Sequence, residues 1–498
     1  MKKIIIAAAA AATIAISPLA SFAAEKPVLS VPAASGDVQL SEGRWTELAA
    51  RYPIPSVSGD IKNAPTPEIL ASWWDSLGDE TLTQLIRTAL ENNRDLASAR
   101  SRVTEARYAL GISKAALLPW LDSTNFWSKS RTPVEAGGSG RSGEMYKLGI
   151  DASWEIDIFG GRRQTVKASM ATLEAQYAAL NSAWVSLSSE VAVNYISLRT
   201  LQQRLIIAKD NLALQQDTLN MLQSRYDAGL SNALALSQAQ YTLEQTRSSI
   251  PPIETNIEAT KNGLAVLTGL VPGALEETLR EAQPIPQADM SVMVGIPANA
   301  LRQRPDIRAA ERRLVAQIAR KKSAQADLWP KFYLVGSIGT ESLTSGSLFE
   351  GPNKLYSFGP QITFPIFHWG AIRKNIKVQR ERQAQALNTY EQAVITAVSE
   401  VRNAITAALQ ERQRNASLKT GVEAARTALD VANDQYRNGL VDFNNVISAQ
   451  RALLSLSELY VNSSGQITTD AVQLFKALGG GWAPISAEYS QEEETAKK

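Results

Sequence analysis

Two stretches of the sequence, YDAGLSNALALSQAQ at Tyr226–Gln240 and YRNGLVDFNNVISAQ at Tyr436–Gln450, share one pattern of residues. They start 210 residues apart, and the same offset aligns glycines, tyrosines and acidic residues along much of the chain. Further towards the N-terminus the offset becomes 211. Solenoid and propeller repeats have periods of only ~20–50 residues, so each copy is a large structural half. The sequence therefore predicts a duplicated unit, with copies at residues 72–270 and 297–481.

The residues before each quoted stretch have the periodicity of a long helix. Apolar positions from Val166 onward recur in alternating steps of four and three, as along a coiled-coil seam. No proline occurs between Gly161 and Gly229. We therefore expect a single helix of roughly 65 residues, or about 100 Å. The second copy predicts the same helix from about Ala371 to Asn438.

Each long helix ends at the quoted stretch, where a glycine suits the left-handed conformation that follows a helix. A second helix then returns, at residues 232–268 in the first copy and 442–478 in the second. The quoted stretches are therefore predicted to be the tips of two helical hairpins, at residues 226–232 and 436–442.

Alternation of apolar and polar residues predicts strands at residues 145–157 and, less strictly, at 356–367. Each has a partner before it, at about 120–130 and 331–341, across a polar loop. The sequence therefore predicts two β-hairpins. Aromatic residues cluster at these strands, as in the girdles of membrane barrels. A small soluble sandwich with an aromatic core is the alternative.

The two predicted β-hairpins cannot close a barrel, because about eight strands form the smallest closed set. An open sheet in a membrane would expose unpaired backbone groups, each at a cost of several kcal/mol. Several copies must then contribute strands, and closed rotational symmetry allows three copies to do so. The predicted fold class is mainly α with a small β part: a long α-helical barrel, and a 12-stranded transmembrane β-barrel shared by three chains.

Composition limits the chemistry of the chain. Its 498 residues include 51 Lys and Arg against 49 Asp and Glu, so there is no basic excess for nucleic acid. The absence of cysteine excludes thiolate sites, and the single histidine, His368, excludes a histidine-rich metal cluster. The glycine-rich stretch at residues 137–140 lacks the Lys-Ser/Thr of a phosphate loop. We expect no catalytic residues, no metal and no cofactor.

The N-terminus has the form of a secretion signal. The basic start Met1–Lys3 precedes an apolar run at Ile4–Ile16 and small residues up to Ala23. This run is shorter than the ~20 residues of a membrane-spanning helix, and no later stretch is a hydrophobic 20-mer. The sequence predicts cleavage after Ala23 and an exported protein without a transmembrane helix.

Other segments lie outside the duplicated halves. The Pro-rich stretch after the signal is predicted to be an extended arm, and the charged C-terminus a disordered tail. A linker joins the two halves. The signal peptide, arm, linker and tail are predicted at residues 1–23, 24–71, 271–296 and 482–498.

Several short motifs resemble those of the TolC-like outer membrane factors, in particular their drug-efflux, or NodT-type, branch. They are Trp73–Asp75 and Leu82–Ile86 near the N-terminus, the two tips, and Leu301–Ile307 at the start of the second half. The resemblance covers about Trp73 to Trp482. It implies the outer membrane channel of a tripartite efflux system, which passively conducts small molecules such as drugs or other toxic compounds.

The resemblance also implies partners. The chain would form a homotrimer in outer membrane lipid and extend into the periplasm, where a periplasmic adaptor and an inner-membrane pump dock at the helical end. No nucleic acid is expected. The implied docking residues at the tips are Tyr226, Gly229, Leu230, Ser231, Tyr436, Gly439, Leu440 and Val441.

The resemblance implies a channel with a closed end, and there this sequence departs from the acidic ring of TolC. TolC narrows this end with aspartates just beyond the tips, and the matching positions here are Ala235, Asn445 and Ser448. An acidic constriction then has to use other residues, for which Asp430 and Asp434 are candidates. Asp227 and Arg437 are further gate candidates, because opposite charges at equivalent tip positions could link neighbouring tips.

Three alternative functions remain at this point. A type I protein-secretion channel would have the same architecture. A non-channel periplasmic adaptor or scaffold would share the coiled coils but has no reason for aromatic-rich β-hairpins in both halves. An enzyme would need a catalytic constellation that the sequence does not offer. The motifs favour small-molecule efflux, whereas the cargo, the pump and the adaptor are not specified by the sequence.

Overall fold

A computed structural model of the chain describes residues 72–131, 133–136, 140–287 and 304–481. The predicted signal peptide, arm and tail, and part of the predicted linker, lie outside the described residues. Most of the described residues are helical, and the strands form one small sheet. The predicted fold class, mainly α with a small β part, is confirmed. Within the described ranges, no helix is both long and apolar enough to cross a membrane.

The elements follow the chain as two similar halves. The first half contains α1 (Glu80–Asn92), α2 (Arg94–Ala115), β1 (Trp120–Arg131), β2 (Ser142–Ile156), α3 (Gly161–Asp227) and α4 (Ala233–Leu267). The second contains α5 (Pro305–Ala326), β3 (Lys331–Ser342), β4 (Lys354–Thr363), α6 (Ala371–Arg437) and α7 (Phe443–Ala477). The long helices α3 and α6 both have 67 residues, and the return helices α4 and α7 both have 35. The predicted long helices are therefore present in both halves.

The strands form one antiparallel sheet in the order β1-β2-β3-β4, so β1 and β4 are its edges. The predicted extension of β4 to residue 367 is wrong, because the strand ends at Thr363. Its partner β3 begins at Lys331, directly opposite Thr363. Beyond this pair the strand has no neighbour in the described part of the chain, and Pro365 has no N–H for a further ladder bond.

In the middle of the sheet, the register gives one face an apolar row and the other face a polar row. One row across the four strands contains Ser123, Ile150, Ile338 and Tyr356. The adjacent row, on the other face, contains Asp122, Asp151, Ser337 and Ser357. Ile150 and Ile338 are 52% and 65% exposed in the single chain. The apolar face therefore needs an apolar environment outside the chain.

The shorter helices pack on the long ones, but not to the same extent. Helix α5 packs against both α3 and α6. Helix α2 has the equivalent place in the first half and packs against α3, and no second long helix in the described part packs comparably against it. Its Tyr108 and Ile112 side chains are 70% and 71% exposed. One chain alone thus leaves α2 only partly covered.

One side chain in each half fastens the end of the hairpin to the start of that half. The Asn93 side-chain amide donates to the Leu267 carbonyl at 3.0 Å. The Arg304 guanidinium donates to the Ala477 carbonyl at 2.7 Å, and Arg304 is 6% exposed. The two clamps lie at equivalent positions, with an amide in the first half and a buried cation in the second.

The segment after α4 is held across α3 mainly through its backbone carbonyls. Arg199, fully buried, donates to the carbonyl of Glu281 at 2.7 Å, and Gln202 donates to that of Leu279 at 2.9 Å. The guanidinium of Arg199 also lies 4.7 Å from the Tyr195 ring centre. Burial, together with a hydrogen bond to a carboxylate, raises the pKa of Tyr195 to about 12. These bonds fix the segment by its main chain.

Candidate functional site

A glycine ends the long helix at both tips. Gly229 and Gly439 have φ values of 70° and 73°, a left-handed conformation that glycine adopts without steric cost. The N–H of the next residue, a leucine in both tips, donates back to the helix at 2.7 and 2.9 Å. A Cβ on either glycine would meet open space. The glycines are therefore required by the backbone conformation and not by crowding.

A polar side chain starts the return helix in both hairpins. Asn232 accepts a hydrogen bond from the N–H of Ala235 at 2.8 Å. Asp442 accepts one from the N–H of Asn444, also at 2.8 Å. Such caps satisfy N–H groups that have no partner inside the helix. The residue that ends the long helix and the residue that caps the return helix thus lie within a few positions of each other, which makes the turn between the helices tight.

Behind the turns, the two hairpins share one apolar cluster. Its buried members come from all four long and return helices: Leu222, Ala235, Ala239, Leu429, Ala432, Phe443, Val446 and Ile447. The Tyr436 ring packs against the cluster, with its centroid 5.3 Å from that of Phe443. The Arg225 guanidinium covers the Tyr436 ring at 5.0 Å. These contacts hold the two tips of one chain together.

The predicted docking residues differ in exposure. Leu230 and Leu440 are 71% and 74% exposed. Tyr226 is exposed, whereas Tyr436 belongs to the packed surface of the cluster. The remaining candidates are exposed glycines and half-buried turn residues, namely Gly229, Gly439, Ser231 and Val441. Among these candidates, Leu230 and Leu440 are the most exposed apolar side chains.

The gate candidates Asp227, Arg437, Asp430 and Asp434 are all exposed. Asp227 accepts a hydrogen bond from Gln223 of its own helix at 2.9 Å. The ion pairs within the described part of the chain include none of the four. A link between Asp227 and Arg437 of neighbouring copies stays a prediction. At the positions that match the TolC aspartates, Ala235 is buried in the cluster, and Asn445 and Ser448 are exposed.

Sequence reasoning missed a contact between the two return helices. Arg451 on α7 donates to the Tyr241 hydroxyl on α4 at 2.6 Å, and its guanidinium lies 5.3 Å from the ring centre. Arg451 also donates to the Thr242 hydroxyl at 3.2 Å. Tyr241 and Arg451 are 210 residues apart, so they occupy equivalent positions of the two halves. The repeat offset was the signal that could have identified this pair.

The exposed leucines give the tip region an apolar surface. Its exposed leucines would bury apolar area under a partner. Across the described ranges, no three His, Asp or Glu side chains lie together so as to hold a metal ion. The arrangement therefore suits contact with another protein.

Comparison with known proteins agrees with this geometry. The model of the family described as outer membrane efflux protein matches residues 85–270 and 296–480. The toluene efflux pump outer membrane protein TtgF of Pseudomonas putida is 30% identical over 433 residues, which cover 86% of this chain and 90% of that protein. Nodulation protein T of Rhizobium leguminosarum bv. viciae is 29% identical over 435 residues, which cover 86% and 89%.

A solved structure shows the same fold. The structure of the outer-membrane channel OprN superposes with a TM-score of 0.80 and 32% identity, covering 85% of this chain and 94% of the OprN chain. The predicted resemblance, the outer membrane localisation and the role in efflux are thereby confirmed. With the family model matched once in each half, the chain belongs to the outer membrane efflux protein family.

Proposed function

We propose that three copies of this efflux protein form one continuous conduit, which conducts small molecules passively from an inner-membrane pump and a periplasmic adaptor across the outer membrane. One observation carries the proposal: among the described residues, the edge strands β1 and β4 have no further neighbour, in a chain built as two equivalent halves. A ring of copies would pair these edges and leave none open, as a membrane requires.

The pairing of β2 with β3 inside the chain indicates how neighbouring copies would pair. These strands join the two halves, and Gly149 lies opposite Gly339. In the repeat, β4 is the equivalent of β2. The equivalent of β3 is then the β1 strand of the next copy. Applying the repeat offsets to the observed pair places Gly359 opposite Ser128 of the next copy. All four residues lie on the polar face of the sheet, so the faces remain continuous.

The same operation covers the exposed face of α2. Helix α5 lies against α3 and α6, and its Ala319 is 6% exposed. The equivalent of Ala319 is Tyr108 on α2, which is 70% exposed in the single chain. In a ring of copies α2 would pack between α3 of its own chain and the α6 helix of the preceding copy, the copy whose β4 pairs with its β1. Tyr108 would then be buried, as its equivalent Ala319 already is, and Ile112 would be partly covered, as its half-buried equivalent Ser323 is.

This function needs no catalytic residue and no cofactor. The pump would supply the energy, and the conduit would supply a path with a gate. A type I protein-secretion channel would use the same fold. The relatives named for toluene efflux favour small molecules as the cargo, and the same relatives, as pump components, favour an adaptor and an inner-membrane pump as partners.

Replacing the two tip leucines with glutamate should abolish export without preventing assembly. The double variant Leu230→Glu with Leu440→Glu removes the apolar groups that an adaptor would cover, and burying unpaired charge in their place is unfavourable. A deletion strain that expresses the double variant should stay as sensitive to toxic compounds as the deletion strain itself. Cross-linked trimers of the variant should still form. The measurement is growth inhibition, together with cross-linking to the adaptor.

The matched control is Leu230→Met with Leu440→Met, which keeps both side chains apolar and should restore resistance. Full export by the glutamate variant would show that the adaptor does not dock on these leucines.

A further inference from the structure

The contact between Tyr241 and Arg451 carries geometric information, because it joins equivalent positions of the two halves. Near this pair, the return helices α4 and α7 pack against each other, whereas α3 and α6 share no comparable packing in the described part of the chain. When equivalent helices form two concentric rings, neighbouring helices are closer together in the inner ring than in the outer one. Equivalent helices that contact each other therefore belong to the inner ring. The pair therefore lies on the inner helices.

In the proposed trimer the two halves of three chains give six equivalent positions around one axis. In such a ring, the distance between neighbouring positions equals their distance from the axis. Two equivalent positions whose side chains meet are therefore about two side-chain lengths apart, and the axis lies at a similar distance from each. Tyr241 and Arg451 reach each other at 2.6 Å, and both are exposed in the single chain. This level is a narrow part of the conduit, and each Arg451 would have a Tyr241 on either side.

On α4 and α7, the charge at this level comes from Arg451. It is the only charged residue in the first fifteen of α7, from Phe443 to Ser457, and α4 has none from Ala233 to Leu243. The next charges on α4, Glu244 and Arg247, pair with each other. The next charge on α7 is Glu458, about 10 Å further along the helix. No nearby carboxylate on the inner helices neutralises Arg451.

We propose that Arg451, alternating with Tyr241 around the trimer axis, forms a cationic ring near the tips that favours the passage of anionic solutes. The inference rests on the proposed trimeric conduit. Rings of arginine select anions in pores, because the charges raise the local anion concentration and repel cations. The positions where TolC has aspartates are Ala235, Asn445 and Ser448 here, so those positions add no negative charge beside the ring.

The ring is tested by the ion selectivity of the purified full-length protein in planar lipid bilayers under a potassium chloride gradient. Arg451→Gln should shift the reversal potential towards that of potassium, and Arg451→Glu should shift it further in the same direction. Arg451→Lys should leave it unchanged. Tyr241→Phe removes the hydroxyl acceptor but keeps the guanidiniums, so its selectivity should match the wild type.

The matched control is Arg426→Gln, an equal change of charge at an exposed position on α6. It should not shift the reversal potential. Equal reversal potentials for wild type, Arg451→Gln and Arg451→Glu, in variants that still form trimers, would overturn the ring while leaving the channel intact. A wild-type protein that does not conduct at all would instead contradict the proposed function.

Discussion

Replacing Ile150 with arginine will deplete the trimer from the outer membrane. Ile150 lies in the apolar row of the sheet, beside Ile338, and is 52% exposed in the single chain. In a barrel of three copies this face meets lipid. An arginine near the membrane midplane costs about 2–4 kcal/mol per site, and the trimer would carry three such sites. The measurement is the amount of heat-modifiable trimer in the outer membrane fraction.

The control is Ser153→Arg on the same strand but on the polar face. There the new cation would lie between Asp151 and Glu155, two residues away on either side of it and on the same face. We expect assembly close to that of the wild type. Normal trimer with arginine at 150, together with loss of trimer for Ser153→Arg, would mean that the two faces of the sheet are reversed.

Replacing Arg304 with alanine should cause the largest loss of stability among the helical contacts. The buried guanidinium holds Asp306 and Glu400, each at 2.7 Å, and the carbonyl of Ala477. Removing it leaves two carboxylates and one carbonyl without their common partner. We expect a loss of about 3 kcal/mol, at the lower end of the range for broken buried ion pairs because both carboxylates are partly hydrated. The free energy of unfolding from denaturant titration measures it.

Two variants on the same segment make this result specific. Arg308→Ala removes an exposed arginine from the first turn of α5, the helix that Arg304 precedes, and should change the free energy of unfolding by less than ~0.5 kcal/mol. Arg304→Asn copies the clamp of the first half, where Asn93 bonds the equivalent carbonyl, and should recover part of the loss. Equal losses for Arg304→Ala and Arg308→Ala would show that the clamp does not contribute.

The helical part of the fold was predictable because its limits are local signals. Gly229 and Gly439 stop the long helices, and Asn232 and Asp442 cap the return helices, as the sequence indicates. Each signal acts within a few residues, so it does not depend on tertiary contacts. The end of β4 at Thr363 was missed because it depends on where β3 begins, a fact about the partner strand.

The candidate site was predictable only in part, for a related reason. The positions of the tips follow from the repeated sequence motifs. The contact of Arg225 with the Tyr436 ring and the hydrogen bond from Arg304 to the hairpin end join segments that are distant along the chain, so the motifs do not reveal them. Periodicity assigns a residue to a face without naming its partner. The pair of Tyr241 and Arg451 is an exception, because the repeat offset alone relates the two positions.

Assembly of three copies through the sheet edges is the central claim, and disulfide cross-linking tests it most directly. The chain has no cysteine, so the double variant Ser128→Cys with Gly359→Cys places the only two. Directly opposed Cα atoms lie about 4.5–5.5 Å apart, within the range a disulfide spans. The matched control, Ser128→Cys with Ser357→Cys, slips the register by two residues and separates the Cα atoms by about 7–8 Å.

Oxidation in the membrane should convert the first variant into a covalent trimer on a denaturing gel and leave the control as monomers. If the first variant gave only monomers, the account would be contradicted. It would also be contradicted if the control, and not the first variant, gave covalent trimers.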